Sequence, residues 1–361
     1  MQELAAIRAV DRWGPLTLLI VPLLAIAVGL HFFGSTLIMR VGTTMFINLT
    51  LVAALQMFMG NSGILSFANI GFMGIGAYAS AIFSMSPEAK LLGIPDLYPL
   101  LHDVQVPYLA AVCVGAGIAG ITAAIVSYPL MRLSDAAAVI TTFALLVVIH
   151  NVLVHWDSVT NGPQTLFGVP RKTTLWVSVL WGCLFVVAAY LFKESRLGLQ
   201  LRASRDDHYA AAAVGVDIVY VRWVAFTLQA FTAGFAGGLW AHFITSFSPT
   251  AFYLKETFVI LAMLVIGGPG SVAGAVVGTL VVTAAFEGLR GIENWLNIHR
   301  GIEIVGLTEV CLAVAMIVIL ILRPGGITAG RELRWPGKRT VFGAGIIGAA
   351  PGDTEGGETH V

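Results

Sequence analysis

The chain runs to 361 residues, 57 % of them hydrophobic and only 11 % charged, where an ordinary soluble domain carries about 25 % charged residues. Its mean hydropathy is +0.87, and 20 basic residues balance 20 acidic ones. This composition excludes a soluble domain with a basic nucleic-acid surface and predicts a polytopic membrane protein, in which the placing of charge matters more than its sum.

The N-terminal stretch 1–15 carries Arg8 and Arg12 ahead of the first apolar run, and no small-residue cleavage site follows, so that run is read as a retained span. Apolar segments recur at roughly 16–33, 43–60, 64–84, 107–131, 136–155, 174–192, 221–245, 257–266, 271–287 and 302–322. A membrane helix needs about 20 such residues, so the prediction is an all-α bundle of about 10 transmembrane helices, some short or broken, filling 16–322. The eighth segment is too short to cross as an ordinary helix, and "GGPG" at 267–270 parts it from the ninth. A re-entrant unit made of these two is the alternative, because broken elements persist at membrane depth only where protein or water covers the freed backbone.

If all ten segments cross, both termini share a side. That side holds Arg8, Arg12, Arg132, Lys193, Arg196, Arg202, Arg205, Arg222, Arg323, Arg331, Arg334, Lys338 and Arg339, against Arg40, Lys90, Arg171, Lys172, Lys255, Arg290 and Arg300 on the other. The excess of positive charge predicts cytoplasmic termini. The polar tail 323–361 has little to bury in its last dozen residues and is expected to be partly disordered.

The stretch "GNSGILSFANIGFMGIGAY" at 60–78 is rich in glycine although it lies in the membrane region. Glycine inside a helix costs about 1 kcal/mol relative to alanine, so a gain is needed at Gly71, Gly74 and Gly76. Gly71, Gly74, Ala77 and Ala81 recur at helical spacing, as do Gly270, Gly274 and Gly278, and Gly234 and Gly238. Such faces let membrane helices approach closely. Two of these faces share an order of features: a glycine turn (60–63 and 267–270, with Gly267, Gly268 and Gly270), a serine within three residues (Ser66, Ser271), then a small-residue helix. An internal repeat is one reading, and the general abundance of small residues in membrane helices is the other. Asn61, Ser62, Ser66 and Asn69 must face protein or water, either as a route for a small polar solute or as helix-to-helix hydrogen bonds.

"KESRLGLQLRASRDDHYAAAAVGVD" at 193–217 is the longest strongly charged stretch between spans. It reads as two short helices, the second from Arg205 to Ala213 with Ser204 as N-cap, Asp206 and Asp207 in its first turn and Gly215 as its stop. Docking on a partner and plain solvation both fit. Cys113, Cys183 and Cys311 share no ligand-like spacing, and His150 and His155 lack further ligands, so no metal site is expected. Glu309 falls inside the last span, as a proton or cation site, as a partner of Arg290 or Arg300, or as a protonated carboxyl bonded to a neighbouring helix.

These residues resemble the membrane permease subunits of branched-chain amino-acid ABC importers, of the LivM type. "GILSFANIGFMGIGAY" resembles the family's "GxLSxGHAAFxGIGAY", "LSDAAAVITTFAL" its "RGxYxAIxTLAF", and "WDSVTNGPQTLFGVP" its "TxGxxGLxGIP" loop. "SRLGLQLRASRDDHYAAAAVGVD" is similar to the coupling loop "SRxGRALxAIRDDExAAxAxGI", "LVIGGPGSVAGAVVGT" to "xxGGxGSxxGPxxGA", and "LRPGGI" to "FRPxGL". The matches run in family order over about 43–327. Asn69 stands where His is usual, Asn161 where Gly is, Ala275 where Pro is common and His208 where Glu is.

The resemblance implies a half-transporter of the type II, vitamin-importer-like fold in the bacterial inner membrane, carrying leucine, isoleucine and valine. Urea, short amides or another small polar solute are its alternatives. Its partners would be a second related permease, two cytoplasmic ABC ATPases, an extracytoplasmic solute-binding protein and membrane lipid. Arg196, Gly198, Arg202, Arg205, Asp206, Asp207 and Gly215 match the ATPase-coupling positions, and Thr160, Asn161 and Gly162 the outer loop that meets the binding protein. The chain has no Gly-rich loop ending in Gly-Lys-Ser/Thr, so no cofactor and no enzymatic activity are expected of it, and ATP would be hydrolysed by partner subunits. A proton-coupled carrier leaning on Glu309 and a passive small-solute channel are the competing functions, and neither needs the Arg-Asp-Asp loop.

Overall fold

A computed structural model describes residues 2–300, 306–323, 325–330 and 332, with side chains at 2–13, 15, 294, 296–300, 307, 309, 312 and 320 outside the description. The tail beyond 332 and the side chain of Glu309 therefore lie outside the described residues.

Among the described residues the chain is a helical bundle. The long helices are α1 (Gln2–Phe33), α2 (Thr36–Leu55), α3 (Asn69–Ser84), α6 (Tyr108–Leu130), α7 (Asp135–His155) and α9 (Leu175–Glu194), followed by α12 (Ile218–Ile244), α13 (Leu254–Gly267), α14 (Val272–Arg300) and α15 (Leu307–Leu322). Short helices α4 (Pro87–Gly93), α5 (Pro99–His102) and α8 (Asp157–Thr160) fold the loops at one end, and α10 (Arg196–Asp206) and α11 (His208–Ala213) the charged loop at the other. Eight helical segments are long and apolar enough to cross a membrane. Helices α3 and α15, at 16 residues each, are not among them, and each of the ten apolar segments of the sequence overlaps one of these ten helices.

Several boundaries differ from the sequence reading: α2 begins at Thr36 and α14 runs to Arg300, and two further differences bear on the site. The eighth segment is longer than 257–266, because α13 begins at Leu254 and, with a 3-10 turn (Pro249–Phe252) ahead of it, makes a stretch of 19 residues long and apolar enough to cross. A carboxylate in a first helical turn faces the positive end of the helix dipole, which makes Glu256 compatible with the helix start. The third segment is helical only from Asn69, since 63–68 is irregular backbone.

The centre of the bundle is the packing of α3, α6 and α12. An added Cβ at Gly76 would collide with the Gly234 backbone, one at Gly237 with Met73 O, and one at Gly115 would lie 2.6 Å from Gly76 O. Backbone approaches this close supply the gain that offsets the helix-weakening cost of the glycines. Gly71 packs against Ile149, and Gly74 against Leu153 and Phe252. Large apolar side chains such as Val21, Ile125 and Ile140 remain exposed on the outward faces, as a lipid-facing wall requires.

Candidate functional site

The polar stretch after α2 is a break in a membrane helix. Helix α2 ends in a π-helical turn, Gln56–Gly60, and the chain then runs irregularly to Asn69 with Gly63 at φ +75°. Freed backbone in a buried setting must be satisfied internally, and the polar residues do this. Asn61 donates from Nδ2 to Met57 O (2.9 Å) and Gln56 O (3.3 Å), Ser62 Oγ accepts from Ile64 N (3.2 Å), and Asn69 donates to Leu51 O (3.2 Å). Gln229 on α12 donates to Ser66 Oγ and Asn69 Oδ1, and Thr142 on α7 receives Phe67 N. Asn61, Ser62, Ser66 and Asn69 are all buried. Both amide atoms of Gln56, with Asn61 Oδ1, Gln229 Oε1 and Thr232 Oγ1, are buried without a partner, so the cluster keeps spare donor and acceptor capacity beside the break.

The second glycine turn meets the first. A Cβ at Gly60 would collide with Pro269 O, so the turns 60–63 and 267–270 touch through backbone. Gly268 has φ +116°, which only glycine adopts without strain. Gly267, Gly274 and Gly278 pack backbone to backbone between α13 and α14, and Gly270 lies beside Gly330. The segment after α15 straps this turn: Ile327 N and Thr328 N donate to Ile266 O and Gly267 O, and Thr328 bonds the Ser271 hydroxyl at 3.0 Å. Glu332 accepts from Val272 N (2.8 Å) and Ala273 N (3.2 Å), placing an anion at the α14 N-terminus where the helix dipole favours it.

The charged loop grips both turns. At its start, buried Lys193 donates to Gly270 O (2.8 Å) and pairs with Glu332 Oε1 (2.5 Å). Further on, Arg205 donates from Nη1 to Gly60 O (3.0 Å), and its stem lies about 3.1 Å from where a Cβ of Gly63 would stand. Gly198 is packed too tightly on Phe192 O and Lys193 O for any side chain, and Arg202 bonds Lys193 O at 2.9 Å. Ser204 does not cap the second helix: it is buried inside α10 and donates to Leu201 O. The cap is Asp207, whose carboxylate receives Tyr209 N and Ala210 N at 2.9 Å each. Gly215 (φ +85°) ends α11 as expected. Arg196, Asp206 and Asp207 are exposed, and so are Tyr209 (86 %) and Val214 (80 %), an apolar pair at the tip of a charged loop.

At the opposite end, Thr160 is buried, donating to Leu153 O and Trp156 O. Asn161 and Gly162 follow in left-handed conformation (φ 62° and 60°). Asparagine tolerates that region, which accounts for Asn161 where the resembled family has glycine. The sequence reading gave no site role to Lys193, Glu332, Gln56, Gln229 or Thr142. The signal available for the glutamines was an amide inside an apolar run; nothing local marked Glu332, which lies far along the chain from the turn it caps. No group of three or more His, Cys, Asp or Glu is placed to hold a metal among the described residues.

The family model described as branched-chain amino acid transport system / permease component matches residues 37–322. The high-affinity branched-chain amino acid transport system permease proteins LivM of Salmonella typhimurium and Escherichia coli are each 25 % identical over 344 residues, covering 86 % of this chain and 74 % of theirs. The probable branched-chain amino acid transport permease protein LivH of Methanocaldococcus jannaschii is 30 % identical over 165 residues (45 % of this chain, 50 % of that one). The ribose import permease protein RbsC of Escherichia coli is 24 % identical over 209 residues (52 % and 62 %). No solved structure gives a significant match. With the family model spanning both glycine turns and the loop that holds them, the chain belongs to the permease components of branched-chain amino-acid transport systems.

Proposed function

We propose that residues 16–322 form half of the translocation pathway of an ATP-driven importer of leucine, isoleucine and valine, in the bacterial inner membrane with both termini cytoplasmic. The observation that carries this reading is the charged loop, which presents Tyr209 and Val214 outward while Lys193 and Arg205 hold the two glycine turns. A carrier or channel working alone has no use for such a loop. Relatives named LivM and LivH support pairing with a second permease. ATP would be hydrolysed by two cytoplasmic ATPases docked on Arg196–Gly215, and a binding protein would deliver solute at the α8 end, around Asn161 and Gly162.

On this reading, closure of the ATPases pushes α10 and α11, and Arg205 passes the displacement to Gly60 and through its contact with Pro269 to the second turn. The glycine faces let helices slide without opening voids. The test is uptake of labelled leucine, with ribose, urea and a short amide as comparators, into vesicles holding this chain, its sister permease, ATPases and binding protein. ATP-dependent accumulation of leucine is expected. Accumulation of a comparator alone moves the substrate, and uptake by this chain alone, indifferent to ATP, overturns the reading.

A further inference from the structure

On the outward apolar wall, between α6, α12 and the corner of α9 with α10, lies a groove of about 520 Å³. Its sides are Ile121 and Ala124, Leu228 and Phe231, and Phe192 and Leu197. Gly117 opens it, since a Cβ added there would meet nothing within 4 Å. From Gly117 to Ala124 and from Trp223 to Phe231, the lining extends about 10–12 Å along each helix at 1.5 Å per residue. The one hydroxyl in the lining, Thr227, donates to Trp223 O at 2.9 Å, so the walls need no polar guest.

At the charged-loop end the chemistry changes. Trp223 donates its indole N–H to Ala124 O (2.8 Å), and Tyr128, one turn beyond Ala124, lies edge-on to it with centroids 6.3 Å apart. Arg132 stands over the Tyr128 ring at 4.8 Å and donates to its hydroxyl at 3.1 Å. Arg132 is exposed and has no carboxylate partner among the described residues, whereas nearby Arg222 is paired with Asp135 at 2.7 Å.

We propose that this groove binds one anionic phospholipid, its acyl chain along the α6–α12 wall and its phosphate on Arg132. Trp and Tyr belong at headgroup depth, and a guanidinium is the natural partner of a phosphate. A helix of another subunit would match the apolar wall equally, but it gives no reason for an uncompensated arginine at the mouth.

Native mass spectrometry of the purified chain, released from micelles holding phosphatidylglycerol and phosphatidylcholine, tests this. Wild type retains phosphatidylglycerol in preference. Arg132→Gln lowers that preference about fivefold, the worth of one arginine near an anionic surface, with phosphatidylcholine, whose choline cation offsets its phosphate, losing less. Gly117→Leu, which fills the open space, lowers retention of both. An unchanged preference in Arg132→Gln overturns the headgroup assignment, and undiminished retention in Gly117→Leu overturns the groove. Cross-linking of an Ile121→Cys variant to a second protein chain in native membranes, absent from wild type, overturns the proposal in favour of a helix.

Discussion

A methyl group means opposite things at Gly76 and Gly117, although both are glycines inside membrane helices. At Gly76 it would strike the backbone of Gly234, and at Gly117 it meets open space. Gly76→Ala is therefore expected to destabilise by about 1–3 kcal/mol through overpacking, whereas Gly117→Ala gains up to about 1 kcal/mol of helix propensity. Thermal unfolding of the two variants in detergent should move in opposite directions. Lys90 in α4 illustrates a buried charge: it is fully buried, and its ammonium donates to Leu101 O (2.8 Å) and Val104 O (2.5 Å). Burial lowers its pKa, against an opposing pull from Asp103. Between the folded pKa and the unfolded value near 10.4 the unfolded chain binds more protons, so stability rises with pH in that window. Compared with Lys90→Met, wild type should gain stability as pH rises toward about 10.4, and a gap independent of pH would show that Lys90 does not titrate on unfolding.

At the scale of elements, the charged loop separates what a cap does from what a charge does. Asp207 caps α11 with two hydrogen bonds while remaining exposed. Asp207→Asn keeps a good N-cap and loses the charge, whereas Asp207→Ala loses both, at about 1 kcal/mol. If the loop docks through charge, leucine uptake falls in both variants; if Asp207 acts only as a cap, the Asn variant transports normally. This loop also shows what could be read from the sequence. Composition and helix-forming residues marked two short helices, but Ser204 and Asp207 are both good caps, and α10 runs on through Ser204, which is buried and bonded to Leu201 O, so the cap falls to Asp207. The glycine turns were legible because glycine and asparagine are costly at membrane depth. Their contact through Gly60 and Pro269 was not, because it joins positions some 200 residues apart, and local patterns carry no information about which distant backbones meet. The strap of Glu332 on α14 was hidden for the same reason: the cation it pairs with, Lys193, counted in the sequence only toward the sidedness of charge.

For the whole molecule, the question is whether the loop moves the turns or merely rests on them. Its two cationic arms reach different turns, Lys193 to Gly270 O and Arg205 to Gly60 O, and the turns abut. On the proposed coupling, a push on α10 would reach the break after α2 through Arg205, and the start of α14 by way of Arg202, which bonds Lys193 O in the last turn of α9. A hydrogen bond from a charged donor contributes about 1.5–3 kcal/mol, enough to shift a two-state equilibrium tenfold or more. In the assembled importer, Arg205→Gln is thus expected to leave ATP hydrolysis near its wild-type rate while leucine accumulated per ATP falls about tenfold or more, with Arg205→Lys restoring part of it. ATP hydrolysis falling in step with transport would show that Arg205 acts through the ATPase contact rather than through Gly60, and unchanged transport would mean that Arg205 passes no push to the turns.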